Sequence, residues 1–191
     1  MTASTPLQLA TRFLLLETIQ NGNVGSVARA MKTMGFHDLV LVRPADPRVL
    51  GRAKTKQHAS GAIDVLRTAR IVETLQDGLI DVDHIIGTRM PHPMKPVEEH
   101  TIAETTTPVL VAPRPYFADY LQGIRHEEKQ IKRIAFVFGS EKYGLKPEDL
   151  ALCHVHMGIP SNPSFGSLNL ACAVQVIAYD WREAIGGYNL V

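Results

Sequence analysis

The 191-residue chain is long enough for one domain with a complete core, and 45% of its residues are hydrophobic, as is typical of a globular protein. Its 20 Lys and Arg nearly balance 19 Asp and Glu, and the net charge of +1 does not mark the whole chain as a nucleic-acid-binding protein. With two cysteines, no signal-peptide pattern over residues 1–10 and no apolar run of membrane-spanning length, the sequence predicts a cytoplasmic protein with free thiols and no membrane association.

The first part of the chain predicts a strand–helix–strand unit. Residues 13–16 (FLLL) form a continuous apolar run, which indicates a buried strand. Gly22 and Asn23 open a helix that continues to about Met34 and stops at Gly35, and residues 39–42 predict the second strand. Two strands joined through a helix are typical of a parallel sheet in an α/β fold.

The middle of the chain predicts shorter elements. Helices are expected over residues 53–66, 74–79 and 116–129, and strands over residues 71–72, 84–87 and 108–112. Residues 88–96 hold three prolines and predict an irregular loop. Five cations lie close together in sequence, and the interpretation we favour is a solvated surface rather than a binding patch: Arg43, Arg48, Arg52, Lys54 and Lys56.

The last third of the chain predicts a buried strand over residues 134–138, a short helix over 147–152, a strand over 155–159 and a helix over 167–183. Apolar residues surround the axis of this last helix, and this apolar surface is larger than a surface helix of a monomer needs. The pattern therefore indicates a subunit interface.

Several common signatures are absent from the sequence. It has no Walker phosphate loop and no GxGxxG, HExxH or GxSxG motif, so P-loop hydrolysis and hydride transfer lose support. Cys153, His154 and His156 form a small cluster without a second group of ligands at matching spacing. We therefore interpret the cluster as structural and expect no metal.

Three polar residues have both an ordinary and a functional interpretation. Arg29 is either a solvated helix residue or a phosphate clamp made accessible by small neighbours. Glu141 follows a buried strand and is either an exposed cap or a carboxylate at the ligand-binding edge of a parallel sheet. Asn169 begins an apolar helix and is either its cap or a bridge between two loops around a ligand. Composition alone does not decide between these alternatives.

Taken together, three segments resemble the three motifs of the SPOUT superfamily, in its SpoU/TrmH-like branch of RNA ribose 2′-O-methyltransferases. The first is Asn23 with Arg29 and Gly35; the second is residues 138–141 (FGSE) with Gly144 and Leu145; the third is Ile159–Pro160 with residues 167–170 (SLNL). The surrounding residues resemble the subgroup that methylates position 32 of the tRNA anticodon loop. The resemblance extends from about residue 13 to about residue 184.

The resemblance implies a parallel-sheet α/β fold with a carboxyl-terminal trefoil knot over about residues 134–185, in a single domain spanning residues 1–191. It also implies a homodimer that binds S-adenosyl-L-methionine at its knotted loops. The cofactor-binding residues that it implies are Thr88, Arg89, Met90, Gly139, Ile159, Gly166, Ser167 and Leu168. Backbone groups of these loops are expected to hold the adenine and the methionine moiety.

The implied chemistry is attack of a ribose 2′-hydroxyl on the sulfonium methyl group. Arg29 is the expected activator and acts together with an RNA phosphate, because a guanidinium is too basic to be a general base at neutral pH. In related dimers this arginine reaches toward the cofactor of the other subunit. The residues expected to form the catalytic site are Arg29, Asn23, Glu141, Ser167 and Asn169.

The chain departs from the family pattern at Ser140, in the proline-rich loop after Gly87, in an apparent insertion over residues 108–129 and in ending soon after the last helix. These departures concern the RNA substrate more than the chemistry. The sequence therefore favours a tRNA methyltransferase, with an rRNA methyltransferase and a non-catalytic RNA-binding protein of the same fold as alternatives. Without the resemblance, a further hypothesis would be a small nucleotide-binding α/β enzyme, and the missing phosphate-loop motifs argue against it.

Overall fold

The computed structural model describes residues 9–91, 109–126 and 132–188. Within these residues, seven strands occupy Ala10–Leu16 (β1), Asp38–Val42 (β2), Arg70–Val72 (β3), His84–Thr88 (β4), Leu110–Val111 (β5), Arg133–Phe138 (β6) and Val155–Met157 (β7). In the same part of the chain, seven α-helices occupy Asn21–Thr33 (α1), Ala53–Ala59 (α2), Ile63–Thr68 (α3), Leu75–Gly78 (α4), Pro113–His126 (α5), Pro147–Leu150 (α6) and Leu170–Ala184 (α7), and a 3₁₀ turn occupies Val49–Gly51.

The strands form one sheet in the order β3-β2-β1-β6-β4-β7-β5, and every pairing between neighbours is parallel. This confirms the expected α/β class. Strand β1 lies between β2 and β6, so that Phe13 is paired with Leu39 on one side and with Phe136 on the other. The last four strands interleave, because β6 inserts between β1 and β4 and β7 inserts between β4 and β5.

Helices cover both faces of the sheet. Alternate strand residues point to opposite faces, so Phe13 and Phe136 face one core while Leu14 and Val137 face the other. The larger core contains the apolar sides of α1, α5 and α7, and the smaller one contains α4. Residues 13–16 of β1 and 134–138 of β6 are buried and apolar because both faces of these strands are covered.

Helix α1 packs closely on α2 and stops where the sequence indicated. A Cβ on Gly25 would lie 2.1 Å from the carbonyl oxygen of Thr55, so only glycine permits this approach of the two helices. Gly35 follows the helix with φ of +74°, a left-handed conformation that glycine adopts without strain. The position of α1, which carries Asn23 and Arg29, is therefore fixed by its glycines.

Several predicted helices have different bounds, and the helix expected over residues 116–129 begins earlier, at Pro113. The helix expected over residues 53–66 is wrong as a single element: α2 ends at Ala59 because Ser60 adopts φ of +50°, and α3 begins at Ile63. The last helix begins at Leu170 rather than at 167, because the Asn169 side chain caps it. Residues 167 and 168 consequently lie in the preceding loop.

The apparent insertion is part of the core where the structure describes it. Strand β5 is the edge of the sheet, and α5 packs on α7. Phe117 of α5 is fully buried, 5.0 Å between ring centroids from Trp181, whose indole N–H donates to the Thr11 hydroxyl at 2.9 Å. Residue 108 and residues 127–129 of this predicted segment, and residues 92–96 of the proline-rich loop, lie outside the described residues. Among the described helices, none has the length and apolarity needed to cross a membrane.

Candidate active site

The loops after β4, β6 and β7 lie side by side at the carboxyl edge of the sheet, because these three strands are neighbours. The hydroxyl of Thr88 donates to the carbonyl of Val137 at 3.0 Å, which joins the end of β4 to β6. The backbone N–H of Arg89 donates to the carbonyl of Met157 at 2.9 Å, which joins it to β7. The structure thus brings the predicted loop residues Thr88 and Arg89 to the crevice edge where α/β sheets bind ligands.

The loop after β6 is closed tightly by its own backbone. A Cβ on Gly139 would lie 1.9 Å from the carbonyl carbon of Gly144, which itself has φ of +68°. The N–H of Gly144 donates to the carbonyl of Ser140 at 2.9 Å, and the Ser140 hydroxyl accepts from the N–H of Tyr143 at 3.2 Å. The site at Gly139 therefore presents backbone rather than side chain.

The loop after β7 folds back toward the loop after β4. The Ser161 hydroxyl donates to the carbonyl of Gly166 at 3.1 Å, and a Cβ on Gly166 would lie 2.9 Å from that hydroxyl oxygen and 3.8 Å from Cγ of Met90. Ile159 follows β7 directly and is half-buried, whereas Ser167 and Leu168 are exposed. The loop after β4 and the loop after β7 therefore approach each other at Met90 and Gly166.

A chain of hydrogen bonds joins the three sequence motifs. The carboxylate of Glu141 accepts the side-chain amide of Asn23 at 2.8 Å, and the amide oxygen of Asn23 accepts from Asn169 at 3.0 Å. Asn169 in turn accepts the N–H of Ala171 at 2.9 Å and so caps α7. Three of the five predicted catalytic residues thus form one connected group across 146 positions of sequence.

Glu141 also stabilises the beginning of α1. Its two carboxylate oxygens accept the backbone N–H groups of Ile19 at 2.9 Å and Gln20 at 3.2 Å, just before the first turn of the helix. A negative charge at this end of a helix is favourable, because the free N–H groups there carry partial positive charge. Glu141 is therefore both a cap, as in the ordinary interpretation, and a member of the polar group.

A second polar contact fixes the same loop. Nζ of Lys146 donates to the carboxylate of Glu17 at 2.8 Å, and Arg43 donates to the same oxygen at 3.1 Å. The hydrogen bond from Lys146, together with Arg43, lowers the pKa of Glu17 below its ordinary value although partial burial opposes the shift. Glu17 therefore stays ionised to lower pH than an ordinary glutamate, and its ion pair with Lys146 holds the loop after β6 against the end of β1.

Arg29 is exposed on α1 and lies outside this hydrogen-bonded group. It lines a cleft of about 850 Å³ between α1, α2 and α7. The polar side chains of the cleft are Ser26, Arg29, Thr33, Gln57, His58, Asn169 and Gln175. Arg29 and Asn169 therefore share a cleft, and the remaining predicted catalytic residue, Ser167, lies two positions before Asn169 without a side-chain hydrogen bond among the described residues.

Each member of the Cys153 cluster has a structural partner. The thiol of Cys153 donates to the carbonyl of Asp149 at 3.3 Å, and burial raises the pKa of this thiol to about 12. His154 accepts the N–H of Ile85 at 2.9 Å, and His156 lies 3.0 Å from the carbonyl of Leu150. Within residues 9–91, 109–126 and 132–188, no group of three His, Cys, Asp or Glu side chains is placed to hold a metal ion.

The sequence reasoning missed the part that α2 contributes to the cleft. Thr55 and Ala59 are fully buried against α1, so Lys54 and His58, one turn apart, occupy the neighbouring exposed side of α2. That four-residue spacing was the available signal. The signal is obscured because the sequence predicts one helix over residues 53–66 where the structure has two.

Comparison with known proteins extends over nearly the whole chain. The sequence model of the SpoU rRNA Methylase family matches residues 10–179. The tRNA (cytidine/uridine-2'-O-)-methyltransferase TrmJ of Citrobacter koseri is 40% identical over 182 residues, which cover 91% of this chain and 63% of that protein. The chain thus spans less than two thirds of the length of this relative.

Solved structures agree with the sequence comparison. A probable methyltransferase from Bordetella pertussis Tohama I superposes with a TM-score of 0.77 at 33% identity, covering 93% of this chain and 96% of that one. TrmJ from Z. mobilis ZM4 superposes with a TM-score of 0.73 at 30% identity, covering 91% and 68% of the respective chains. Residues 10–179, which the family model matches, contain α1, β4, β6 and β7, the elements that position the candidate site.

Proposed function

The chain belongs to the SpoU rRNA Methylase family, and on that premise we propose that it is a methyltransferase acting on the ribose 2′-hydroxyl of tRNA, with S-adenosyl-L-methionine as methyl donor. The observation that carries the proposal is the Glu141–Asn23–Asn169 group, which joins all three motifs beside the cleft of Arg29. The TrmJ relatives support tRNA as the substrate, and position 32 of the anticodon loop is the site that the resemblance favours.

The loops at the carboxyl edge fit this cofactor. S-adenosyl-L-methionine supplies a methyl group made electrophilic by its sulfonium centre. Gly139 is half-buried and Gly166 is buried, and at both positions a side chain would collide with neighbouring atoms, so the loops present backbone there. Such backbone offers the amide and carbonyl groups that recognise an adenine. We assign cofactor binding to these two glycines together with Thr88, Arg89, Met90, Ile159, Ser167 and Leu168.

The polar residues would then orient the attacking ribose. The carboxylate of Glu141 holds Asn23, and Asn23 holds Asn169, so the amide groups at the first turns of α1 and α7 are fixed before RNA binds. Arg29 is exposed and has five N–H donors, and we assign it to the RNA phosphate next to the reacting 2′-hydroxyl. The phosphate, positioned in this way, accepts the hydroxyl proton, and positioning supplies most of the rate.

We further propose that residues 1–191 form one domain, that residues of about 134–185 are threaded as a trefoil knot, and that the protein is a cytoplasmic homodimer. The interleaved order of β4 to β7 supports the knot, since the chain returns to insert β6 and β7 between strands that precede them in sequence. Exposed apolar side chains on α7, at Val176 and Tyr179, support the homodimer.

A second substrate class has a specific observation in its favour. The family whose model matches the chain is described by its action on rRNA, and this chain covers 63% of its TrmJ relative. An rRNA 2′-O-methyltransferase is therefore the alternative that the experiment has to separate from the tRNA enzyme.

The test is methyl transfer to purified RNA. The protein is incubated with tritiated S-adenosyl-L-methionine and either tRNA or rRNA from a strain lacking the gene, and the digested nucleosides are identified by mass spectrometry. We expect 2′-O-methylated cytidine or uridine in tRNA only. Label in rRNA alone would establish the alternative, and cofactor binding without label in either RNA would establish a non-catalytic protein.

A further inference from the structure

Beside Arg29, the edge between α1 and α2 carries a row of side chains whose function is unassigned. A Cβ on Gly22 would lie 3.2 Å from the ring of His58 and 3.3 Å from Cε of Lys54, so both side chains extend over the first turn of α1. Further along α1, the Ser26 hydroxyl lies 3.3 Å from Nδ1 of His58. Lys54, His58, Ser26 and Arg29 therefore form a continuous row, which we call the α1–α2 row.

The α1–α2 row is free of negative charge. None of the described residues that line the adjoining cleft is acidic. Two aspartates of this part of the chain are engaged elsewhere, since Asp46 pairs with Arg52 and Asp64 pairs with Lys32 at 2.8 Å. Among the described residues, neither Arg29 nor Lys54 forms an ion pair. Two cations with hydrogen-bonding groups between them are complementary to consecutive phosphates of a polynucleotide backbone.

We propose that Lys54 and His58 bind an RNA phosphate neighbouring the one contacted by Arg29, and thereby add to the affinity for the RNA. This inference rests on the proposed function, because it assigns further residues to the same RNA. When the Ser26 hydroxyl donates to Nδ1 of His58, Nε2 carries the proton and donates to a phosphate oxygen, while Lys54 contributes a point charge. The α7 side of the cleft, at Cys172 and Val176, is left for the predicted subunit contact.

The row explains the glycine at position 22. A larger residue there would displace the His58 ring or the Lys54 stem, both within 3.3 Å of the added carbon. Gly25, by contrast, is required by the backbone of α2 itself. One glycine therefore sets the distance between the helices, and the other keeps the row accessible.

The test measures RNA binding and steady-state methyl transfer for Lys54→Ala, His58→Ala and His58→Gln. We expect each alanine variant to weaken tRNA binding about 5- to 10-fold and to raise KM for tRNA, with kcat and cofactor affinity nearly unchanged. Lys54→Ala should also reduce the slope of log Kd against log salt by about 1, as the loss of one phosphate contact does. His58→Gln retains an N–H donor and should recover most of the affinity.

The matched control is Lys132→Ala, which removes an exposed lysine at the amino end of β6, the opposite edge of the sheet. Unchanged binding and KM in both alanine variants of the row, or an equal loss in the control, would overturn the inference. The inference would also be overturned if the alanine variants sedimented as monomers while their remaining dimers bound RNA as tightly as the wild type. The row would then belong to the subunit contact. Failure of the wild-type protein to methylate any RNA would instead refute the proposed function, since binding and its salt dependence are measured without methyl transfer.

Discussion

At the scale of single residues, Arg29 differs from the other motif residues in its surroundings. Asn23, Glu141 and Asn169 are bound to one another, whereas the Arg29 side chain extends from the exposed side of α1 into the cleft. A side chain without a role in packing can be removed without leaving a cavity. Its contribution to activity can therefore be measured separately from stability.

We expect Arg29→Ala to reduce methyl transfer about 10²–10³-fold, the usual cost of losing one transition-state contact, while folding and cofactor binding are retained. Arg29→Lys should recover little activity, because an ammonium group does not reproduce the planar two-point contact of a guanidinium. The measurements are tritium transfer to unmodified tRNA, calorimetric cofactor titration and thermal unfolding. Transfer by the alanine variant at the wild-type rate would show that Arg29 is not the activating residue.

Unlike Arg29, Glu141 contributes both to the stability of the fold and to the candidate site. Glu141→Ala removes the acceptor of two backbone N–H groups and of the Asn23 amide, so we expect the free energy of unfolding to fall by about 1–3 kcal/mol. Glu141→Gln keeps one acceptor oxygen and should lose less. The measurement is urea unfolding, with Asn23→Ala and the double variant completing a cycle; strictly additive losses would contradict the coupling seen in the structure.

At the scale of elements, the sequence predicted best where local chemistry decides the outcome. The apolar runs of β1 and β6, the stop at Gly35 and the position of Asn169 at the start of α7 follow from burial, backbone freedom and capping, and the structure confirms them. The break at Ser60 was missed, because a left-handed residue between two short helices leaves no clear periodic signal. Contacts between side chains distant in sequence, such as Ser26 with His58, also cannot be predicted from hydrophobic periodicity.

The loop after β6 tolerates no side chain at its first residue. In Gly139→Ala the new Cβ would meet backbone of Gly144 rather than a movable side chain, so the loop has to open. We expect cofactor affinity to fall at least about tenfold, since backbone groups of the loop are displaced from the crevice edge. Gly123→Ala is the matched control, because Gly123 lies in α5 with open space around it and the change favours helix there. Equal calorimetric affinities for the two variants would contradict the assignment of this loop.

Helix α5 gives the fold a pH dependence that is separate from the site. His84 at the start of β4 stacks on Tyr120 at 4.4 Å and bonds to the Tyr116 hydroxyl at 2.7 Å. Burial, together with the nearby His154, lowers the pKa of His84 from 6.5 to about 4. Between these values the unfolded chain takes up a proton that the folded chain does not, so stability falls as pH decreases from about 6.5 toward about 4.

We therefore expect His84→Phe, which keeps an aromatic ring in the stack, to unfold with a smaller loss of Tm between about pH 7 and about pH 5 than the wild type. Its Tm at neutral pH should be lower, because the Tyr116 hydroxyl loses its partner. His37→Phe, at an exposed histidine, should leave the pH dependence of Tm unchanged. An identical pH dependence of Tm in the wild type and His84→Phe would refute the assignment.

At the scale of the whole molecule, the sheet order was beyond the reach of sequence patterns. Strand segments and their parallel direction could be predicted from apolar runs and intervening helices, yet nothing local tells β6 to insert between β1 and β4. The family resemblance implied a parallel-sheet fold with a knot, but it gave no order of the strands. The same limit applies to assembly, because an apolar surface on α7 indicates a contact without naming its partner.

The remaining apolar surface of α7 carries the prediction for assembly. Leu170, Val174 and Trp181 are buried within the chain, but Val176 is 36% exposed and Tyr179 is 47% exposed. The partner we expect is a second copy of the chain, because α7 borders the cleft of Arg29. An obligate interface between two such copies would bury on the order of 2,000 Å² or more. Val176→Asp would place a charge in that interface, where burial without a partner is costly.

We expect the wild-type protein to sediment as a dimer at micromolar concentration and Val176→Asp to sediment as a folded monomer with methyl transfer lost. Ile80→Asp makes the same chemical change at a 60% exposed residue beyond α4 and should remain dimeric and active. A monomeric wild type would refute the homodimer. A monomeric Val176→Asp that retained full activity would show instead that each chain completes its own site, and Arg29 would then act on the cofactor of the same subunit.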